Sequence, residues 1–75
     1  MWPFKSSAQK YEMVLQALRD SGEATSIDVW SSTDGLSHTD VVVRLLRLEE
    51  SGLVTSRLPP GEFRSHRLYK LAVRP

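Results

Sequence analysis

The sequence predicts an α+β fold in which three helices are followed by a two-stranded β-hairpin. Three observations carry this reading. Serine stands three positions ahead of glutamine or aspartate at Ser6-Gln9 and Ser37-Asp40, the spacing at which side chains cap the free N–H groups of a helix start. Apolar residues recur at helical intervals behind both caps. A Pro59-Pro60-Gly61-Glu62 turn then separates two stretches rich in branched and aromatic residues.

The first helix opens at Ser6-Ser7-Ala8-Gln9 and carries Tyr11, Val14, Leu15 and Leu18 on one stripe. Ser21-Gly22 ends it, since glycine accepts the backbone of a helix C-terminus without steric cost. Glu23 to Thr25 is a short link with room for a two-residue strand. Thr25 or Ser26 caps a second, short helix bearing Ile27, Val29 and Trp30, which stops at the turn signal Thr33-Asp34-Gly35. The third and longest helix runs from Ser37 to Ser51. Val41, Leu45 and Leu48 form its buried seam, and Glu49-Glu50-Ser51-Gly52 closes it. Leu53 to Leu58 reads as a strand and Phe63 to Ala72 as its return. On the returning strand Phe63, Ser65, Arg67, Tyr69 and Leu71 share one face, and Arg64, His66, Leu68 and Lys70 share the other. Trp30, Tyr11 and Tyr69 are expected in the core, because a small domain needs aromatics to fill it.

With 75 residues the chain holds one domain, residues 1–75, with 1–5 as an N-terminal extension and 72–75 as a C-terminal tail. A domain of this size buries only about 60% of its unfolded surface, which leaves little stability for a strained catalytic pocket. Ser37, His38 and Asp40 do not form a triad, since side chains so close along one helix start diverge. No glycine-rich phosphate loop or paired metal-ligand motif is present. No enzyme is expected. There is no cysteine, and the two histidines lie far apart in sequence, so neither a metal nor another cofactor is expected. No apolar run approaches a membrane span and nothing resembles a signal peptide, so the expected address is cytoplasmic.

The net charge of +1 conceals an asymmetry. Residues 57 to 75 hold five cationic side chains and one acid, a net +4, whereas residues 1 to 56 net −3. A basic C-terminal face suits a polyanionic partner.

Three helices followed by a hairpin is the winged helix-turn-helix arrangement. The stretch LSHTDVVVRLLRLEESGLVTSR, Leu36 to Arg57, resembles the third helix and first wing strand of bacterial regulators of the PadR and MarR kind. The returning Arg67-Leu68-Tyr69-Lys70-Leu71 resembles the PadR wing strand. The resemblance covers residues 36–57 well and 8–71 loosely. It implies sequence-specific binding of double-stranded DNA by a small transcriptional regulator, with the helix from Ser37 to Ser51 in the major groove. Ser37, His38 and Thr39 would approach base edges or phosphates at its leading end. The wing, with Arg57, Arg64 and Arg67, would lie along the backbone or minor groove. Many relatives carry a basic residue where this chain has Val43 and Leu46. Arg44 and Arg47, on a neighbouring stripe, would then supply phosphate contacts, or else pair with Asp40 or Glu50.

Val43 and Leu46, together with Trp2 and Phe4, also support a second reading, a winged helix used as a protein-interaction module. Trp2 and Phe4 either fold back on the first helix or form half of a homodimer contact. One winged helix reads a short half-site, so a homodimer is the natural route to tight binding. The size also suits a phage or plasmid architectural factor of the excision type.

Overall fold

A computed structural model of the chain describes residues 6–61 and 66–72. The element order is α1 (Ser7–Ser21), β1 (Glu23–Ala24), α2 (Ser26–Ser32), α3 (His38–Glu50), β2 (Val54–Arg57) and β3 (Leu68–Leu71). Each helix starts on a reciprocal capping box. Ser6 pairs with Gln9, Thr25 with Asp28 and Ser37 with Asp40. Each box satisfies two backbone donors that the helix itself cannot, which fixes where the helix begins.

The strands form one antiparallel sheet in the order β1-β3-β2. Glu23 lies opposite Lys70 and Ala24 opposite Tyr69, while Val54, Thr55, Ser56 and Arg57 lie opposite Leu71, Lys70, Tyr69 and Leu68. The short link expected after α1 is therefore an edge strand of a three-stranded sheet. Gly61, after Pro59-Pro60, has φ +80°, a left-handed backbone that glycine adopts without strain.

The core is assembled from all of these elements. Val14, Ala17 and Leu18 of α1, Ala24 of β1, Val29 of α2, the preceding-turn residue Leu36, the α3 seam of Val41, Leu45 and Leu48, Val54 and Tyr69 are buried together. Tyr11, Met13, Leu15 and Leu71 pack against this cluster. Buried Thr33 donates its hydroxyl to the carbonyl of Trp30 at 3.1 Å, so its burial leaves no polar atom stranded.

Two expectations are corrected. Trp30 is not a core residue: it is 44% exposed. The α2 helix has seven residues, and only Val29 among them is buried. The indole is held instead at its polar edge, where Nε1 donates to the carbonyl of Leu36 at 2.9 Å. The strands are also shorter than their branched composition suggests. β2 spans Val54–Arg57 and not 53–58, and β3 begins at Leu68, so Arg67 precedes the ladder. Phe63 and Ser65 fall outside the described residues.

Candidate nucleic-acid interface

The leading end of α3 is built around Asp40. Ser37 accepts the Asp40 amide at 3.0 Å, and the Asp40 carboxylate accepts the Ser37 amide at 3.4 Å. The same carboxylate meets Lys10 Nζ at 3.5 Å and Arg44 Nη1 at 3.3 Å. Partial burial pushes the Asp40 pKa up, but the Ser37 amide, the Lys10 charge and the Ser37 hydroxyl outweigh it, and the carboxyl titrates below its ordinary value. The acid in the first turn is thus neutralised from two sides.

Arg44 is committed to this arrangement. Its side chain is 14% exposed, its guanidinium lies 5.3 Å from the centre of the Tyr11 ring, and it also reaches the Asp40 carbonyl. This cation-over-ring contact joins α3 to α1. His38 and Thr39 are exposed beside it. His38 Nε2 lies 3.3 Å from Ser26 Oγ, and its ring packs at 5.6 Å and a 57° tilt against Trp30. Trp30, fixed by Leu36, therefore acts as a wall that sets the orientation of His38.

The outward face of α3 is set by helical geometry. At about 100° per residue, Thr39, Val43, Leu46 and Glu50 fall within roughly 60° of one another, opposite the buried seam. Leu46 is 48% exposed and Val43 is half-buried. Arg47 borders this stripe on the α1 side; it is exposed and forms no ion pair among the described residues. The helix thus presents two apolar residues, Val43 and Leu46, between Thr39 at its leading end and Glu50 at its trailing end, with a cation along one edge.

The two described wing arginines lie on opposite faces of the hairpin. Val54, Ser56, Tyr69 and Leu71 occupy the face toward the helices, and Thr55, Arg57, Leu68 and Lys70 the outer face. Arg67 donates to Ser56 Oγ at 3.0 Å, and Ser56 in turn donates to the Glu49 carboxylate of α3, so Arg67 sits on the side of the third helix. Arg57 forms two parallel bonds to Glu23, each 2.9 Å, on the outer face. The Arg57 hydrogen bonds depress the Glu23 pKa against an opposing effect of burial, with added help from the Arg57 and Lys70 charges. Glu23 raises the Arg57 pKa in return.

Of the residues singled out in sequence, the structure brings Ser37, His38, Thr39, Val43, Leu46, Arg47 and Arg67 to α3 and its hairpin side. It places Arg57 on the outer sheet face and Arg44 in the α1–α3 junction. Arg64, Trp2 and Phe4 lie outside the described residues. Sequence reasoning missed Trp30 as a surface support for His38, and it missed Ser56 and Glu49 as the link that orients Arg67. An open cleft of about 330 Å³ between α1 and α2 is lined by Met13, Gln16, Ala17, Asp20, Ser21 and Ser32. It holds one titratable group, Asp20, and its two hydroxyls are already spent, Ser21 on the Ala17 carbonyl and Ser32 on the Asp28 carbonyl, so neither serine is paired with a base. Among the described residues no group of three His, Asp or Glu side chains could hold a metal ion, and no helix is long and apolar enough to cross a membrane.

No family model and no curated protein matches the sequence. Solved structures do match the fold. The Zalpha domain of Carassius auratus PKZ, solved in complex with Z-DNA, superposes with a TM-score of 0.72 at 19% identity, covering 89% of this chain and 98% of that domain. BpsR of Bordetella bronchiseptica, whose DNA binding is regulated by 6-hydroxynicotinic acid, superposes with a TM-score of 0.74 at 28% identity. That match covers 96% of this chain but 52% of BpsR, so the chain spans about half the length of that regulator. With three capped helices, a third helix exposed along one face and a β1-β3-β2 sheet ending in a hairpin, the chain is a winged helix-turn-helix domain.

Proposed function

We propose that this domain binds double-stranded DNA sequence-specifically, as a small transcriptional regulator, with α3 in the major groove and the hairpin against the backbone or minor groove. The observation that carries this reading is the pairing of an exposed α3 stripe with Arg67, a wing cation held on the same side through Ser56 and Glu49. DNA binding by both structural neighbours supports it.

Electrostatics gives the direction of approach. The N-terminus of α3 carries the positive end of the helix dipole, and its one first-turn acid, Asp40, is offset by Lys10 and Arg44. The C-terminal end carries Glu49 and Glu50, which phosphates repel. The helix therefore enters the groove leading end first, and His38 and Thr39 meet base edges before any other residue of α3. Arg47 and Arg67 take phosphates on the two flanks. Arg57 contributes less, because Glu23 already occupies its guanidinium.

The test is selection of binding sites from a random duplex pool with the whole chain, followed by fluorescence anisotropy on the recovered duplex. A two-fold symmetric site would assign a homodimer and a single half-site a monomer. No enrichment, together with no binding to any duplex at low salt, would overturn the proposal. In that case the apolar residues of α3 would favour a protein-interaction module.

A further inference from the structure

Resting on the DNA-binding reading, we infer that α3 selects its target by recognising the 5-methyl groups of pyrimidines, through the stripe formed by Thr39, Val43 and Leu46. A helix that reads guanine or adenine presents arginine, lysine, asparagine or glutamine to the groove, because those side chains match the donors and acceptors of purine edges. Here the outward stripe carries none of them, and its one charged member, Glu50, stands at the trailing end beyond Leu46. Thr39 offers a methyl and a hydroxyl, while Val43 and Leu46 offer only hydrocarbon, with Leu46 48% exposed.

Left in water, that hydrocarbon is an unfavourable surface; set against base edges bearing only donors and acceptors, it would strip their hydration and return nothing. The one apolar feature of the major groove is the methyl at pyrimidine C5, found in thymine and in 5-methylcytosine. Dimensions agree. At 1.5 Å per residue, Thr39 and Leu46 stand roughly 10 Å apart along the helix, about three base-pair steps of 3.4 Å. The charges agree as well. Arg47 borders the stripe on the α1 side and Arg67 lies on the hairpin side, so cations bracket an apolar centre, as phosphate walls bracket the base edges of a groove. A protein partner for this stripe would not call for that bracketing.

The experiment uses the full chain and two pairs of mixed-sequence 24-base-pair duplexes of a length set by roughly two helical turns. In the A·T-rich pair, thymine is present or replaced throughout by uracil. In the G·C-rich pair, designed without alternating C-G runs, cytosine is unmodified or 5-methylated. Removing thymine methyls should weaken binding by about four-fold for each methyl contacted. Cytosine methylation should strengthen it by a similar factor; a response to the first pair alone narrows the ligand to thymine. In Val43→Ala/Leu46→Ala both ratios should fall toward one while low-salt binding persists, since Arg47 and Arg67 remain. Equal binding to the thymine and uracil duplexes overturns the inference and leaves DNA binding intact. Failure to bind any of the four overturns both. A thymine-to-uracil ratio unchanged in the double variant, with loss of self-association in sedimentation velocity, would overturn it in favour of an interface with a second copy.

Discussion

Arg67→Ala and Arg57→Ala, compared under varying salt, give the sharpest test of how the wing is used. Both residues are arginines on one hairpin, and a charge count treats them alike. Structurally they differ: among the described residues Arg67, on the α3 side, bonds Ser56 alone and no carboxylate, while Arg57, on the outer face, has two donors committed to Glu23. For duplex DNA the logarithm of affinity falls against the logarithm of salt with a slope of about −0.9 per phosphate neutralised. One contact therefore accounts for roughly a 3.5-fold fall in affinity between about 50 and 200 mM salt. Arg67→Ala should remove close to one unit of slope, and Arg47→Ala a similar amount. Arg57→Ala should change the slope least of the three. Anisotropy titrations of a labelled duplex at four or five salt concentrations measure all three. The assignment of faces fails if Arg57→Ala flattens the slope as much as Arg67→Ala, or if Arg67→Ala leaves it alone.

Leu45 is fully buried on the α3 seam, so Leu45→Ala should destabilise the fold by roughly 2–5 kcal/mol in urea unfolding, a large share of a small domain's stability. Ser37→Ala, which removes the α3 cap, should cost about 1 kcal/mol by the same measurement. Trp30→Phe removes the donor to the Leu36 carbonyl and should cost about 0.5–1.5 kcal/mol; a loss as large as that of Leu45→Ala would mean that Trp30 serves the core after all. Glu23 and Asp40 both titrate below their ordinary values in the folded chain. Their contribution is present above the unfolded carboxylate range near roughly pH 4 and is lost as pH falls through the depressed values, so acid should lower the Tm. In Glu23→Gln/Asp40→Asn the Tm should fall less steeply below pH 5, and an unchanged acid profile would contradict both assignments.

Where local chemistry decided the structure, the sequence was a good guide. The caps at Ser6 and Ser37 and the seam of Val41, Leu45 and Leu48 involve residues at most seven apart, and each stands where its spacing predicts. Ala17 and Ala24 gave no such signal, because a small side chain is buried only if the neighbouring elements close over it. Trp30 was misjudged for a related reason: ring size suggests burial, but α2 is too short to turn more than Val29 inward. The wing arginines show what a missing register costs. Arg67 shares the side of Tyr69 and Leu71, as strand alternation implies, but its relation to Arg57 depends on Arg57 lying opposite Leu68. The turn chemistry did not fix that pairing. Nor could spacing reveal that Arg44 would find Tyr11 on another helix.

The middle position of β3 has a consequence for how the domain comes together. Among the described residues β1 and β2 touch no strand but β3, the last of their elements in chain order. Until Leu68 to Leu71 is laid down, the earlier strands have nothing to zip onto, and α3 has no wing to stand beside. Assembly of the sheet thus waits on a four-residue keystone, and a chain cut before it would retain helix-forming sequence with no hairpin beside it.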